Sequence, residues 1–570
     1  MTKCEIRFHV DRRTLTNPFR GVKLMPSQEG NKNPNKKQEE TMKKILALLL
    51  VVVMAVSMCA CGSGNGTNEK PTTADNKTAD AAKPQGEQTG TVKDTAILAT
   101  SDEPYRFFAQ SKQSCSGADN LVLSNVYDCL LRLEADGSLT PALAESYEVS
   151  DDGLEYTFHL RKGVKFHNGQ EMTAEDVKFS YDYGFEGPIG TALFVNYKQC
   201  DIIDDYTVKM TLSSPYAAFP YGVASRLGGI ACKAYFDEVG DDEYVKNPIG
   251  TGPYKFVEWI SGDHTTLTAN EDYWGTKPTI KNIVIQVVAD TNTQILGLQN
   301  GDYDVVRSPS IDVCTRLDGN ADVAWDSTLS TGRISLYLND WTGACKDLNF
   351  RKAVQAGIDK QMINDGVYAG RSEILNVDMC SNYLSFVTEA DGVEVVPYDQ
   401  EAAKEYLAKS NYNGEEFAVS VPSGSSLENV GKIIQAQLME IGINCTVKAT
   451  DYPTYSGEFA NRTYEAYIIN NLCSLVDADG MYTAHRLDRK PWENRVFQRD
   501  GEISEILLKA RAAQGDERKA MYVEACNIVA EEAYDVPLVN DLATIAYRSN
   551  MSGVKAHCLG NMYFGDWSFN

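Results

Sequence analysis

The chain is poor in the patterns on which enzymes and nucleic-acid binders depend. Six histidines occur in 570 residues, and there is no H-E-x-x-H, G-x-S-x-G or Walker-type loop. Positive charge is scarce: 54 Lys and Arg stand against 79 Asp and Glu, a net charge of −25. That balance excludes a phosphate backbone as partner, because such binding is driven by Lys and Arg. No apolar run reaches the roughly 20 residues a membrane-spanning helix needs. No internal repeat occurs, and no Pro/Gly-rich linker divides the chain beyond residue 95. Eleven cysteines follow Cys61, an odd number with no C-x-x-C pair. Their scatter does not read as a disulfide framework; it suits buried thiols acting as small hydrophobes.

The apolar run that is present covers residues 45–56 and follows Met42-Lys43-Lys44. A positive head, a short apolar core and a small-residue exit make a secretory signal. The run ends in Met58-Cys59-Ala60-Cys61, which resembles a bacterial lipobox with Met where Leu is more usual. Cys61 is the expected lipidation site, since a bulky Met58 beside the cut disfavours Cys59. Two acyl chains on Cys61 would anchor the protein stably to the outer face of the cell membrane. Residues 1–41 are polar and precede this signal, and Lys37-Gln38-Glu39-Glu40 can be encoded by a purine-rich ribosome-binding string. They are read as a leader, with translation starting at Met42. Loss of residues 1–60, net +6, leaves a chain of −31. Residues 61–95 contain almost no large apolar side chains and read as a flexible linker.

Beyond residue 95, strand-like and helix-like stretches alternate, which predicts an α/β fold. Tyr156, Phe158 and Leu160 alternate with polar residues. Val164 and Phe166 continue the alternation and predict a hairpin, Asn168-Gly169 a turn, and Thr173-x-x-Asp176 a capped helix start. Residues 348–370 predict one amphipathic helix, with Phe350, Val354, Ile358 and Met362 on one face. Asp347 is its expected cap, and Gly366 or Gly370 its end.

The stretches 141–146, 152–153, 156–158, 160–161, 163–167 and 173–177 together resemble the signature of the oligopeptide/dipeptide/nickel-binding family of extracellular solute-binding proteins. So do 247–259, 270–288, 296–306 and 348–370, in the same order. The resemblance covers essentially all of 96–570. It implies a two-lobed periplasmic-binding-protein-like clamshell of the large peptide-binding type, with an extra subdomain in the first lobe. Lobe one would take 96–330, including a subdomain at 126–247; lobe two would take 331–534; residues 535–570 would return to lobe one. The implied function is the solute-binding component of an ABC importer. It would capture a small solute, a short peptide first, and deliver it to a permease and ATPase by hinge closure. A ligand-sensing lipoprotein of the same fold, or a nickel-, haem- or sugar-binding member, remains open as an alternative. The expected protein is a monomer with no enzyme activity, cofactor or metal.

Peptide-binding relatives pair the peptide amine with an Asp in a Trp-x-x-Asp-x-x-Asp-Pro stretch. The corresponding stretch here is 470–482, with neither the Trp nor the Pro. Asp477 and Asp479 are the ligand-binding candidates. In a second register the amine-pairing position falls on Ser474 or Leu475. Tyr105, Tyr127 and Arg462 are further candidates for lining the cleft, while Trp259, Tyr273 and Trp274 are read as core. His159 and His167 sit in the hairpin motif and are read as structural, and the Asp477-Ala478-Asp479-Gly480 run lacks the further ligands of a calcium loop.

Overall fold

A computed structural model describes residues 93–108, 110, 117–187, 193–480 and 499–570, apart from the side chain of residue 500. The leader, the signal, Cys61, nearly all of the linker, Cys115 and His485 lie outside the described residues.

One ten-stranded mixed sheet runs through residues 93–570. Its order is Cys445–Thr450, Phe417–Pro422, Ala466–Leu472, Val323–Leu338, Asp535–Arg548, Val305–Arg307, Thr95–Thr100, Asn282–Val287, His264–Ala269 and Tyr254–Ile260. Two central strands are unusually long, at 16 and 14 residues, where strands usually have 3–10. Residues Val323 to Leu329 pair with Leu542 to Arg548, beside Val305–Arg307. Residues Arg333 to Tyr337 still pair with Asp535 to Asn540, and Gly332 to Leu338 take Ala466–Leu472 on the other edge. The two long strands therefore carry the sheet from one lobe into the other. The lobe boundaries read from the sequence, 330/331 and 534/535, fall within the first strand and at the start of the second.

A separate four-stranded antiparallel sheet, ordered Ala144–Val149, Glu155–Leu160, Thr207–Leu212 and Tyr197–Asp204, forms the subdomain with the helix Ala174–Phe185. Tyr156, Phe158 and Leu160 are buried, as their alternation requires. The expected hairpin does not form: Glu155–Leu160 pairs with strands on both sides, at Ala144–Val149 and Thr207–Leu212. With both edges taken, Val164 and Phe166 become core anchors of a loop instead. That loop turns at Asn168-Gly169, with Gly169 at φ +88°, and closes on a Lys165–Glu171 bridge. The helix behind it starts with the expected capping box, Asp176 Oδ2 accepting from Thr173 N at 2.9 Å.

The single helix expected over 348–370 is two, Leu348–Ala356 and Lys360–Tyr368. Asp347 caps the first and Asp359 the second, each accepting a backbone N–H two residues on. Asp359 competes with helix continuation by offering its carboxylate to that backbone, and Gly357 lies just before it. The break turns Met362 outward, to 52% exposure, while Phe350, Val354 and Ile358 stay in the core.

Distant motifs meet in lobe one. His167 N donates to Gly250 O at 2.9 Å, Gly250 N donates to His167 Nδ1 at 3.4 Å, and His167 Nε2 lies 3.0 Å from Gly252 O. A Cβ on Gly250 or Gly252 would stand 2.1 or 2.4 Å from a carbonyl oxygen of Val126 or Asn125. Glycine is required there because the 250–252 loop and the helix end touch backbone to backbone. His159 is half-buried, 3.9 Å from Glu148. Ten cysteines are described, all free, with Cys129 alone not fully buried. Among the described residues no helix is long and apolar enough to cross a membrane.

Candidate functional site

The crossing strands lose register between Leu329 and Arg333. A bulge of this kind leaves backbone carbonyls without ladder partners, and side chains take them over. Asn540 Nδ2 donates to Ser330 O and Gly332 O at 2.8 and 3.0 Å. Asn382 Nδ2 donates to Leu329 O and Ser330 O at 3.2 and 3.0 Å. Thr331, wholly buried, joins three segments: its N–H donates to Cys558 O at 3.1 Å, its hydroxyl donates to Cys473 O at 2.7 Å, and Tyr383 donates to its carbonyl at 2.7 Å. Cys558 belongs to the returning C-terminal segment, Cys473 and Tyr383 to lobe two. At Gly332 a Cβ would lie 2.6 Å from Asn470 Oδ1, so a larger residue there would have to displace that side chain.

Sheet register aims the first strand at the bulge. Thr95–Thr100 runs parallel to Val305–Arg307, and Arg307 pairs with Ile545, three residues from Leu542 where the long strands lose register. In parallel sheets, ligands bind at the carboxyl ends of the strands. Tyr105 follows that end, is 43% exposed, and donates its N–H to the buried Asp119 at 2.7 Å.

From lobe two, the strand Ala466–Leu472 delivers residues 473–480 to the same junction. Leu472 and Ser474 are exposed, whereas Cys473 and Leu475 are buried. Asp477 and Asp479 point inward. Arg518 Nη1 donates to Asp477 Oδ2 at 2.9 Å and Nη2 to Oδ1 at 2.8 Å. The remaining Arg518 donors reach Ser385 Oγ, Tyr522 Oη and Ala510 O, so all five are used. Arg511 Nε donates to Asp479 Oδ1 at 2.9 Å. Burial pushes Asp477 above the ordinary aspartate range, and Arg518 pulls it part of the way back. Neither acid presents an unengaged carboxylate. The loop so held meets the subdomain: the Arg511 guanidinium lies 5.9 Å from the Tyr216 ring. Tyr156 and Tyr216 share one apolar cluster with Leu475, Val476 and Tyr522. The Tyr216 hydroxyl is buried there with no hydrogen-bond partner among the described residues.

Tyr127 is buried in lobe one, its hydroxyl donating to Phe107 O at 2.8 Å. Arg462 is not brought to the junction. Its carbonyl accepts from Asn339, beyond the Leu338–Ala466 end of the sheet. That end is six residues, roughly 20 Å, from the Gly332–Leu472 pair at the bulge. Trp259 and Trp274 are half-buried and donate to Glu103 and Asp128. Thr331, Asn540, Arg511, Arg518 and Tyr216 were not singled out by sequence. Only the two arginines carry a signal, as cations 32 and 41 residues after Asp479 and Asp477; their helical context gives no pointer to those partners.

Comparison with known proteins follows this geometry. The family model described as bacterial extracellular solute-binding proteins, family 5 Middle, matches residues 138–490. The chain is 28% identical over 461 residues to "Di/tripeptide-binding protein 2" of Pseudomonas aeruginosa, covering 74% of this chain and 85% of that one. It is 26% identical over 498 residues to "Oligopeptide-binding protein AppA" of Bacillus subtilis, covering 82% and 90%. Among solved structures, a substrate-binding protein, CtaP, from Listeria monocytogenes superposes with a TM-score of 0.75 at 24% identity, covering 84% of this chain and 100% of that one. A periplasmic binding protein, DppA, from Helicobacter pylori in complex with the peptide STSA gives 0.70 at 24%, covering 84% and 98%. With two lobes joined by two crossing strands and a family model matched over more than half its length, this chain belongs to family 5 of the bacterial extracellular solute-binding proteins.

Proposed function

We propose that the protein is the lipid-anchored solute-binding component of an ABC importer. It takes a small solute, first of all a short peptide, between its lobes, and closure about the crossing strands presents the loaded form to a permease. The observation that carries this reading is the bulge at Leu329–Arg333. There the end of the first-lobe sheet, the returning C-terminal segment and the loop 473–480 meet around Thr331. A ligand touching both lobes biases such a hinge by its differential contacts with open and closed forms. Peptide is placed first because the relatives include proteins named for di- and tripeptides and for oligopeptides. Tyr105, which follows the strand Thr95–Thr100, and Ser474, which follows the strand Ala466–Leu472, are both exposed and are the residues assigned to contact solute. Asp477 and Asp479 are assigned to holding the loop.

The engaged state of those two acids favours a second reading, a solute that brings no free amine to this loop. Lobe division at 330/331 and 534/535, the anchor on Cys61 and the outer-face location belong to the same proposal. Replacing Cys61 with Ser should release the protein from the membrane fraction into the medium.

A thermal-shift screen of residues 93–570 against di- to hexapeptides, sugars and metal chelates tests the ligand class. A binder at 100 times its Kd adds about 2.7 kcal/mol of stability. Stabilisation by free peptides supports the peptide reading, and stabilisation by amine-blocked peptides alone supports the second. Stabilisation only by sugars or chelates removes peptide from the account.

A further inference from the structure

A cavity of about 550 Å³ is lined wholly by the first lobe: by the helix Asn120–Val126, residues 224–229, the 273–279 loop and the C-terminal 561–568 segment among others. No residue between 331 and 534 lines it, so those residues contribute nothing to its walls. Its volume lies within the range of small-molecule sites.

The charges in this cavity do not balance. Arg132, Arg226 and Lys277 face Asp128 and Asp566. Both acids are already engaged. Asp128 Oδ1 accepts from Tyr273 Oη at 3.1 Å, and Oδ2 accepts from Trp274 Nε1 at 2.8 Å and Thr251 Oγ1 at 3.0 Å. Burial also pushes Asp128 above the usual carboxylate range, and its three hydrogen-bond donors pull it part of the way back. Asp566 is paired with Arg132, whose guanidinium lies 4.1 Å from the Tyr563 ring. The buried Nε of Arg132 still lacks a hydrogen-bond acceptor, Glu134 standing off at 3.5 Å.

Arg226 is half-buried and has no hydrogen bond or ion pair among the described residues; the exposed Lys277 is likewise unpaired. A half-buried arginine with no counter-charge leaves its guanidinium free for water or for an anionic ligand at the cavity. In a chain of net charge −25, these two unpaired cations at one cavity run against the overall charge. The adjoining walls are flat and aromatic: Tyr273, Trp274, Tyr563 and Trp567. Such rings recognise a planar body by stacking or edge contact.

We propose that this first-lobe cavity is a second binding site, separate from the interlobe junction, for a small planar aromatic molecule carrying a carboxylate-type negative charge. Arg226 supplies a fork for the anion, Lys277 a second positive charge at the rim, and the aromatic walls hold the ring.

The test uses isothermal titration calorimetry of the purified protein with benzoate and its neutral isostere benzamide. Benzoate is expected to bind, and benzamide about tenfold or more weakly, the factor that about 1.4 kcal/mol of charge-assisted bonding produces. Arg226→Gln should weaken benzoate by about tenfold. Lys277→Gln, at an exposed position that folding tolerates, should weaken it by a smaller factor. Stabilisation by the interlobe solute should be unchanged in both variants, which separates this site from the junction. Absence of benzoate binding at millimolar concentration, equal affinity for benzamide, or undiminished benzoate binding by both variants would overturn the proposal.

Discussion

Replacing Asp477 with Ala removes the carboxylate that, among the described residues, meets Arg518 in bidentate geometry. The guanidinium is 2% exposed and the carboxylate wholly buried. Two of the five Arg518 donors, one on each terminal nitrogen, would then point into the protein without an acceptor. A hydrogen bond to a charged group contributes about 1.5–3 kcal/mol, and breaking a buried ion pair from one side costs about 3–5 kcal/mol. The two figures agree, and the loss is a large part of the 5–15 kcal/mol that holds a typical domain together. Urea unfolding followed by circular dichroism should show the Asp477→Ala midpoint falling accordingly. The double variant Asp477→Ala/Arg518→Met should recover part of the loss, because the orphaned charge is then gone. Solute affinity, measured where each variant is fully folded, should change much less than stability. A variant that keeps its stability within about 1 kcal/mol but loses solute affinity would refute the reasoning, for Asp477 would then be reaching the ligand rather than Arg518.

Three further outcomes follow from the same geometry. Burial lowers the His167 pKa from its ordinary value to about 4, so the folded protein holds this ring neutral while the unfolded chain protonates near pH 6.5. Its contribution is therefore complete above pH 6.5 and lost as pH falls from there to about 4, by about 1–3 kcal/mol; His167→Gln should flatten that part of a stability-against-pH curve. Thr331→Val keeps the shape but leaves the Cys473 carbonyl without its donor, and chemical denaturation should show a loss of about 1–3 kcal/mol. Thr173→Ala removes the capping box of the helix Ala174–Phe185, with an expected loss of about 1 kcal/mol by the same assay.

Local chemistry was legible in the sequence. Thr173 and Asp176 form their capping box, Asn168-Gly169 turns, and Asp347 caps its helix, because each needs only residues within a few positions. The two-lobed α/β fold was also readable, from motif order over the whole length. What escaped depended on distant partners. Val164 and Phe166 have strand periodicity, yet Glu155–Leu160 finds its neighbours at Ala144–Val149 and Thr207–Leu212. Met362 continues the spacing of Phe350, Val354 and Ile358, but Asp359 restarts the helix and shifts the face. At the junction, Asp477 reads as a free acid until Arg518 is folded onto it. The Thr331 hub needs Cys473 and Cys558, 142 and 227 residues further on, to be visible.

The central claim is that solute binding and lobe closure are one event. Small-angle X-ray scattering of residues 93–570, with and without a saturating solute that raises the thermal midpoint, tests it most directly. The account predicts a fall in the radius of gyration that saturates at the same solute concentration as the thermal shift. A solute that binds and stabilises while the radius stays constant would contradict the account, because binding would then not be read out through the crossing strands.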